Sequence, residues 1–307
     1  MKCLCTGSSG FIGKHVVKEL ERRGHTVKQC DHEIGYQNLT VEDLKDIDWV
    51  FHLGASSGSL HFLPTPMAGV ANNCSGVVQL LETCKNAGVK KFIMSSTGSS
   101  YSNTPIPHNE ATALNCPNFY TATKIFDEHS CRLYKDLYGL ETVILRYASV
   151  YGDNEDSKLM LANVVSQFIW TMMRGEQPEI WGSGHQTRDF VFVDDVVSAN
   201  IFAAENLVHG VYNVGTGVET TFNKVVDIIN KHLDSKIEPL YMEPSNKSVQ
   251  KRYVSRQLFD TNKLFARGWH STVSVDDGIK RIINEIRNRP DPMSIPILLP
   301  AEKTFHR

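Results

Sequence analysis

The chain has seven cysteines, an odd number, and none stands in a C-x-x-C pair or at zinc-ligand spacing. That pattern excludes a disulfide scaffold and reads as a reduced intracellular protein. No apolar run approaches the roughly 18 residues needed to span a bilayer. A first strand expected from residue 2 leaves no room for a leader, so a cytoplasmic protein with no membrane partner is expected. Charge of one sign is not in excess either: 32 basic residues face 34 acidic ones, for a net charge of −2. Without a basic surplus there is no nucleic-acid footprint, and an anionic partner must be met by a few placed cations. Internal repeats and low-complexity linkers are also missing. What is present is length and apolar content, 307 residues of which 41% are hydrophobic. These suffice for one large α/β domain or two modest ones.

Short β-rich runs at 2–6, 26–30, 49–53, 91–95 and 142–145 alternate with helical stretches. Such alternation predicts right-handed βαβ units and a parallel sheet. Amphipathic segments at 14–23 and 76–86 end at Gly24 and Gly88, glycines that can take positive φ. A longer helix follows Pro117, with Ala122, Ile125, Phe126, Leu133 and Leu137 on its apolar spacing and Gly139 as its stop. Beyond residue 150 the expected elements are helices at 161–174 and 195–205, a turn at 182–184 and strands at 190–193 and 211–214. Helices at 220–233, capped by Thr221, and at 275–288 complete the reading. The tail 290–307 carries four prolines and is expected to lie extended.

The first strand runs directly into Gly7-Ser8-Ser9-Gly10-Phe11-Ile12-Gly13 and then a helix. In that context a glycine-rich turn presents backbone N–H groups to a pyrophosphate. The spacing is GxxGxxG rather than GxGxxG, and a simple tight turn is the alternative. Asp31 ends the second strand 18 residues after Gly13, near the offset at which a carboxylate accepts hydrogen bonds from the adenosine ribose. No Arg stands beside it to receive a 2′-phosphate, so NAD is favoured over NADP. Taken alone, Asp31 also reads as a solvated loop residue.

Tyr120 and Lys124 lie four residues apart on one helix face, where a cation can stabilise a phenolate. A phenol at its free pKa of about 10 is a poor base near neutrality. With that help it can exchange a proton with a substrate hydroxyl while hydride moves. Chance supplies such pairs in a chain of this composition, so the setting matters. Ser95-Ser96-Thr97 sits just past the fourth strand and offers a hydroxyl for the same substrate oxygen, or merely a polar turn.

With these motifs in order, the chain resembles the NAD-dependent epimerase/dehydratase family of extended short-chain dehydrogenase/reductases, the UDP-glucose/UDP-galactose 4-epimerase type in particular. The resemblance runs from residue 1 to about 288. It rests on TGSSGFIG at 6–13, HLGA at 52–55, Asn73 with Gly76, the SST run, YTATK, RYASVYG at 146–152 and GHQTRDFVFVDD at 184–195. It implies a Rossmann-type doubly wound parallel sheet with a smaller C-terminal substrate-binding region. It implies that Gly7, Gly10, Phe11 and Ile12 face the pyrophosphate and Asp31 the ribose, with Leu53, Gly54, Ala55 and Asn73 lining the cofactor. Tyr120 and Lys124 would hold the catalytic and nicotinamide-ribose roles, and Thr97 falls where the family has its catalytic Ser or Thr. For a nucleotide-diphosphate sugar, Arg188 is the candidate diphosphate clamp and Trp181 matches the place that meets the base. Ser149 stands at a usual diphosphate contact. Arg252 and Arg256 lie where relatives carry a second phosphate-binding Arg, with a solvated basic face as the alternative.

The resemblance also implies a division of the chain. Residues 1–148 plus about 188–214 would bind NAD, and 149–187 plus 215–289 would bind substrate. A homodimer through a four-helix bundle follows, because helices 76–86 and 117–138 carry more apolar surface than one sheet covers. No metal is expected: His61, His129 and His185 show no mutual ligand spacing, and His52 reads as a packed histidine.

Two departures sharpen the chemistry. The family's 4,6-dehydratases carry Asp-Glu directly after the catalytic Thr and its decarboxylases keep a Glu there, whereas Thr97 is followed by Gly98 and Ser99. Elimination then lacks its proton shuttle. What remains is oxidation of a sugar carbinol, turning of the 4-keto sugar and hydride return, which is 4-epimerisation of a UDP-hexose. A one-way NAD-dependent reductase or dehydrogenase and a catalytically silent NAD-binding sensor stay open as alternatives. Ser149, where relatives often have Asn, and Asp153, where they have Pro, leave room for a sugar other than glucose.

Overall fold

Five strands arise where alternation predicted them: β1 (Lys2–Thr6), β2 (Thr26–Cys30), β3 (Trp49–His52), β4 (Lys91–Thr97) and β5 (Glu141–Tyr147). The structure is a computed structural model that describes residues 1–243, 254–292 and 294–297. Three short strands follow, β6 (Ser149–Tyr151), β7 (Glu179–Trp181) and β8 (Thr187–Phe192), before β9 (Gly210–Val214) rejoins the sheet. The strand order is β2-β1-β3-β4-β5-β9, all parallel. Side chains alternate between two apolar layers: Cys3, Cys5, Phe51 and Ile93 face one side, and Leu4, Val50, Phe92 and Met94 the other. Burial on both faces explains why these strands read as continuous apolar runs.

The order reverses between β1 and β3, and ligands of such sheets bind in the crevice beyond the carboxyl ends at that point. Helix α1 (Phe11–Arg22) starts three residues earlier than expected, with Gly10 as its N-cap. A one-turn helix α2 (Met67–Val70) passes through a π-turn (Ala71–Ser75) into α3 (Gly76–Ala87). Helix α4 (Phe119–Tyr138) follows; Gly88 and Gly139 end α3 and α4 in the left-handed conformation, as their positions predicted.

The sheet leaves part of the apolar spacing of α4 uncovered. Phe126, Leu133 and Leu137 are exposed, while Thr123, Lys124, Asp127 and Glu128 are buried against the sheet. Buried ions cost several kcal/mol unless paired; Glu128 is paired with Arg146 of β5 and Asp127 with Lys124 of the same helix.

The rest of the chain contributes α5 (Val164–Met173), α6 (Val193–Asn206), β10 (Glu219–Thr221), α7 (Phe222–Leu233), β11 (Leu240–Met242), α8 (Asn262–Phe265) and α9 (Val275–Arg287). Thr221 caps α7 by accepting from the Lys224 N–H, as expected. Helix α6 packs on α1, but β8, which the expected division assigned to the cofactor unit, pairs with β6 and β10 in a separate sheet. Strands β7 and β11 form a two-stranded sheet. In the tail, Ile295 is buried and Arg174 Nη1 donates to the Pro296 carbonyl at 2.7 Å. Arg252 and residues 298–307 lie outside the described residues. All seven cysteines are free thiols, and among the described residues no helix is long and apolar enough to cross a membrane.

Candidate active site

Two glycines touch at the switch point. A Cβ on Gly7, whose φ is +66°, would lie 2.7 Å from the Gly54 nitrogen, and one on Gly13 would lie 1.9 Å from the Gly7 carbonyl oxygen. The turn therefore closes only with glycine at both places. No side chain caps α1 at Gly10, so its first N–H groups, at Phe11, Ile12 and Gly13, have no intrahelical acceptor and suit an anion. The Phe11 ring is buried against His15, at a centroid distance of 5.9 Å, and can meet a ligand only through its backbone.

Asp31 stands beside this turn. Its Oδ2 accepts the Ser9 N–H at 2.6 Å and its Oδ1 accepts the His32 N–H at 3.0 Å. Burial alone would raise its pKa; these hydrogen bonds outweigh burial and hold the carboxyl at about 2. Below the turn, Thr6 Oγ1 meets His52 Nδ1 at 2.8 Å and accepts the Gly54 N–H at 3.1 Å. His52 is the packed histidine the sequence predicted, with its pKa lowered by burial and by Lys124. Leu53, Gly54 and Ala55 are half-buried along the crevice. Asn73 is fully buried, and its amide braces the protein instead: Oδ1 accepts from Ser56 N at 2.8 Å and Nδ2 donates to Thr123 Oγ1 at 2.9 Å. It thereby ties the loop after β3 to α4.

Tyr120 is half-buried in the first turn of α4, which Asn118 caps by accepting the Thr121 N–H at 2.9 Å. Lys124, one turn further, is buried. Thr97 ends β4 opposite Tyr147 of β5. The Tyr147 phenol is pushed up by burial and donates to Asn200 Oδ1 at 3.0 Å. Of the hydroxyl run, Ser95 donates to the His52 carbonyl at 2.9 Å and Ser96 to Glu128 Oε1 at 2.5 Å. Only Thr97 keeps its hydroxyl in the turn, bonding Ser99 Oγ at 3.1 Å.

The C-terminal candidates divide. Arg188 Nη1 donates to the carbonyls of Thr187 and Val254 at 2.7 and 2.8 Å, and its guanidinium lies 5.4 Å from the Phe222 ring centroid. Ser149 Oγ donates to Gln257 Oε1 at 3.0 Å, so Ser149 and Arg188 share the wall made by 254–257. Arg256 is exposed and pairs with Glu219, and Trp181 is half-buried on β7, with its carbonyl accepting from Gln186 Nε2 at 2.9 Å. His185 Nδ1 meets Ser183 Oγ at 3.1 Å in an exposed turn.

Three features had little sequence signal. Arg146 and Glu128, both buried, form a bidentate pair of 2.9 and 2.6 Å that fixes α4 to β5. Asp127 is buried 3.3 Å from Lys124 Nζ. Gly98 is packed so closely that a Cβ there would lie 2.4 Å from Phe259 Cζ and 2.9 Å from the Tyr147 carbonyl oxygen. Two buried charges in a helix read as solvated residues, and the tight packing of one glycine is a tertiary fact.

A glycine turn thus lies at the switch point of the sheet, with Asp31 after β2, Thr97 at the end of β4 and Tyr120 and Lys124 on α4. The chain belongs to the NAD dependent epimerase/dehydratase family, whose model matches residues 3–215. It is 32% identical over 306 residues to a putative UDP-glucose 4-epimerase of Methanocaldococcus jannaschii, covering 93% of this chain and 98% of that protein. The UDP-glucose 4-epimerase of Thermotoga maritima, solved with UDP-glucose, superposes with a TM-score of 0.83 at 32% identity, covering 94% of this chain and 99% of the other. A UDP-N-acetyl-alpha-D-glucosaminuronate decarboxylase of Bacillus cytotoxicus is 28% identical, over 93% of this chain and 98% of that protein. The fold is the Rossmann-type α/β fold and the cofactor is NAD. The uncapped start of α1, the glycine turn and the Asp31 carboxylate fit its pyrophosphate and ribose.

Proposed function

We propose that the protein is a nucleotide-sugar 4-epimerase acting on a UDP-hexose. The observation that carries this reading is Gly98: Phe259 fills the space a side chain would need there, so the first of the two carboxylates that shuttle protons for elimination has no room, and Ser99 stands in place of the second. Thr97, Tyr120 and Lys124 remain. Bound NAD supplies a hydride acceptor that gives the hydride back. Tyr120 takes the proton of the sugar C4 hydroxyl as the C4 hydrogen leaves as hydride, and returns it when the 4-keto sugar is reduced on its other face. Thr97 holds the same oxygen by a hydrogen bond, and Lys124 favours the phenolate electrostatically. Gly7, Gly10, Phe11, Ile12, Asp31, Leu53, Gly54 and Ala55 hold the cofactor, with Asn73 as their brace. Arg188 takes the substrate diphosphate, with Ser149 beside it and Trp181 towards the base.

Residues 1–148 with 193–214 form the cofactor unit in this reading, and strands β6, β8 and β10 with the elements after them form the substrate unit. The exposed stripe Phe119, Phe126, Leu133 and Leu137 on α4 supports a homodimer through α3 and α4. The cofactor content of the purified protein tests the epimerase reading. An epimerase regenerates its NAD each turnover and keeps it bound through purification, whereas a one-way reductase or dehydrogenase exchanges it and emerges largely empty.

A further inference from the structure

Among the described residues, four polar atoms from three ionisable side chains are buried together without a hydrogen bond: His52 Nε2, Lys124 Nζ and both carboxylate oxygens of Asp127. Lys124 and Asp127 are fully enclosed. Their 3.3 Å approach is an ion pair that lacks hydrogen-bond alignment. A buried pair so poorly satisfied is poor stabilisation, since an apolar pair of the same volume would serve a core at least as well. Unsatisfied buried groups of this kind call for another explanation, and one of these two belongs to the catalytic set.

We propose that Asp127 is a positioning residue for Lys124: its carboxylate holds the ammonium at the inner end of the site and so limits its pull on the Tyr120 phenol. The inference rests on Tyr120 and Lys124 working as described above. Asp127 faces Lys124, Glu128 and Cys131 from its own helix, Cys74 from the π-turn and Tyr36 from the segment after β2. From β3, His52 faces Lys124. The Glu128 oxygens are taken by Ser96 and Arg146, and the Tyr36 hydroxyl donates to the Asn72 carbonyl. Both thiols are raised by burial and by Asp127, and stay neutral. Lys124 is thus the cation that answers the Asp127 charge. Burial lifts the Asp127 carboxyl to about 6 against the attraction of Lys124, with Glu128 adding to the rise. Near neutrality the carboxylate is charged and restrains Lys124; below that range it is neutral and releases it.

The test compares Asp127→Asn, which removes the charge and keeps the shape, with Asp127→Glu, which keeps the charge. In the Asn variant the acid limb of kcat should move down by roughly one pH unit. The carbon NMR titration of the Tyr120 Cζ, recorded on the purified protein without substrate, should move the same way. Asp127→Glu should titrate like the parent. An acid limb and a Tyr120 titration both unchanged in Asp127→Asn, with only the unfolding temperature altered, would overturn the proposal in favour of a purely structural pair. Should the Asn variant not fold, Asp127→Ser carries the same comparison. The NMR titration reads the coupling whether or not a UDP-sugar is turned over, so it is separable from failure of the epimerase reading.

Discussion

A Cβ on Gly98 would lie 2.4 Å from Cζ of Phe259, so the position that follows Thr97 has no room for a side chain. Phe259 is itself held in place, because its N–H approaches Asp189 Oδ2 at 3.4 Å and its ring packs edge-on against Tyr101 at 5.4 Å. Gly98→Ala should therefore destabilise the protein by about 1–3 kcal/mol through overpacking. Phe259→Ala in the same chain should recover part of that loss, since residues in contact are not additive. Urea unfolding of the two single variants and the double variant measures the coupling; strictly additive losses would contradict the contact.

Asp31 should make the site prefer NAD to NADP by about a hundredfold, because a carboxylate facing a 2′-phosphate costs several kcal/mol. Titrating both cofactors into NAD-free protein checks this, and equal affinities would contradict it. The folded pKa of about 2 lies below the ordinary 3.8. The sign follows: this group's contribution to stability is present above the unfolded value and is lost as pH falls through about 4 to 2. Asp31→Asn should flatten the parent's loss of stability over that window.

Tyr120→Phe should lower turnover by about 10²–10⁴-fold, the usual worth of positioned proton transfer, while NAD content stays close to the parent's. Lys124→Ala should lose turnover and NAD affinity together. A Tyr120→Phe protein within a few-fold of parental turnover would exclude the phenol as the proton-transfer group.

Much of this site was readable before any fold was known. The glycine turn, Asp31 and the Tyr120–Lys124 spacing are local patterns, and so are the glycine stops of α3 and α4. What escaped was tertiary. Strands β6, β7, β10 and β11 have three residues each, too few for periodicity to register. Helix α4 turns Phe126, Leu133 and Leu137 outward while Glu128 meets Arg146 of β5, and a count of apolar residues does not say which of them the sheet covers. The absence of a carboxylate after Thr97 was visible as a letter, but the reason, Phe259 arriving from 161 residues away, was not.

Arg188 should bind the substrate diphosphate by its fork, so Arg188→Lys, which keeps charge but loses bidentate geometry, should raise KM about tenfold or more with a smaller effect on kcat. Steady-state kinetics on a UDP-hexose decide it. An unchanged KM would assign Arg188 to bracing the 254–257 wall through its bonds to Thr187 and Val254.

The central claim is inversion at C4 of a UDP-linked hexose with no net redox change. Proton NMR of the purified protein with UDP-, GDP-, CDP- and dTDP-sugars, and with free hexoses and hexose 1-phosphates as controls, measures it directly. One UDP-hexose pair should interconvert to equilibrium without added NAD and without accumulating NADH, while the controls stay unchanged. A panel in which C4 stays fixed and NADH accumulates instead would contradict it and identify a dehydrogenase.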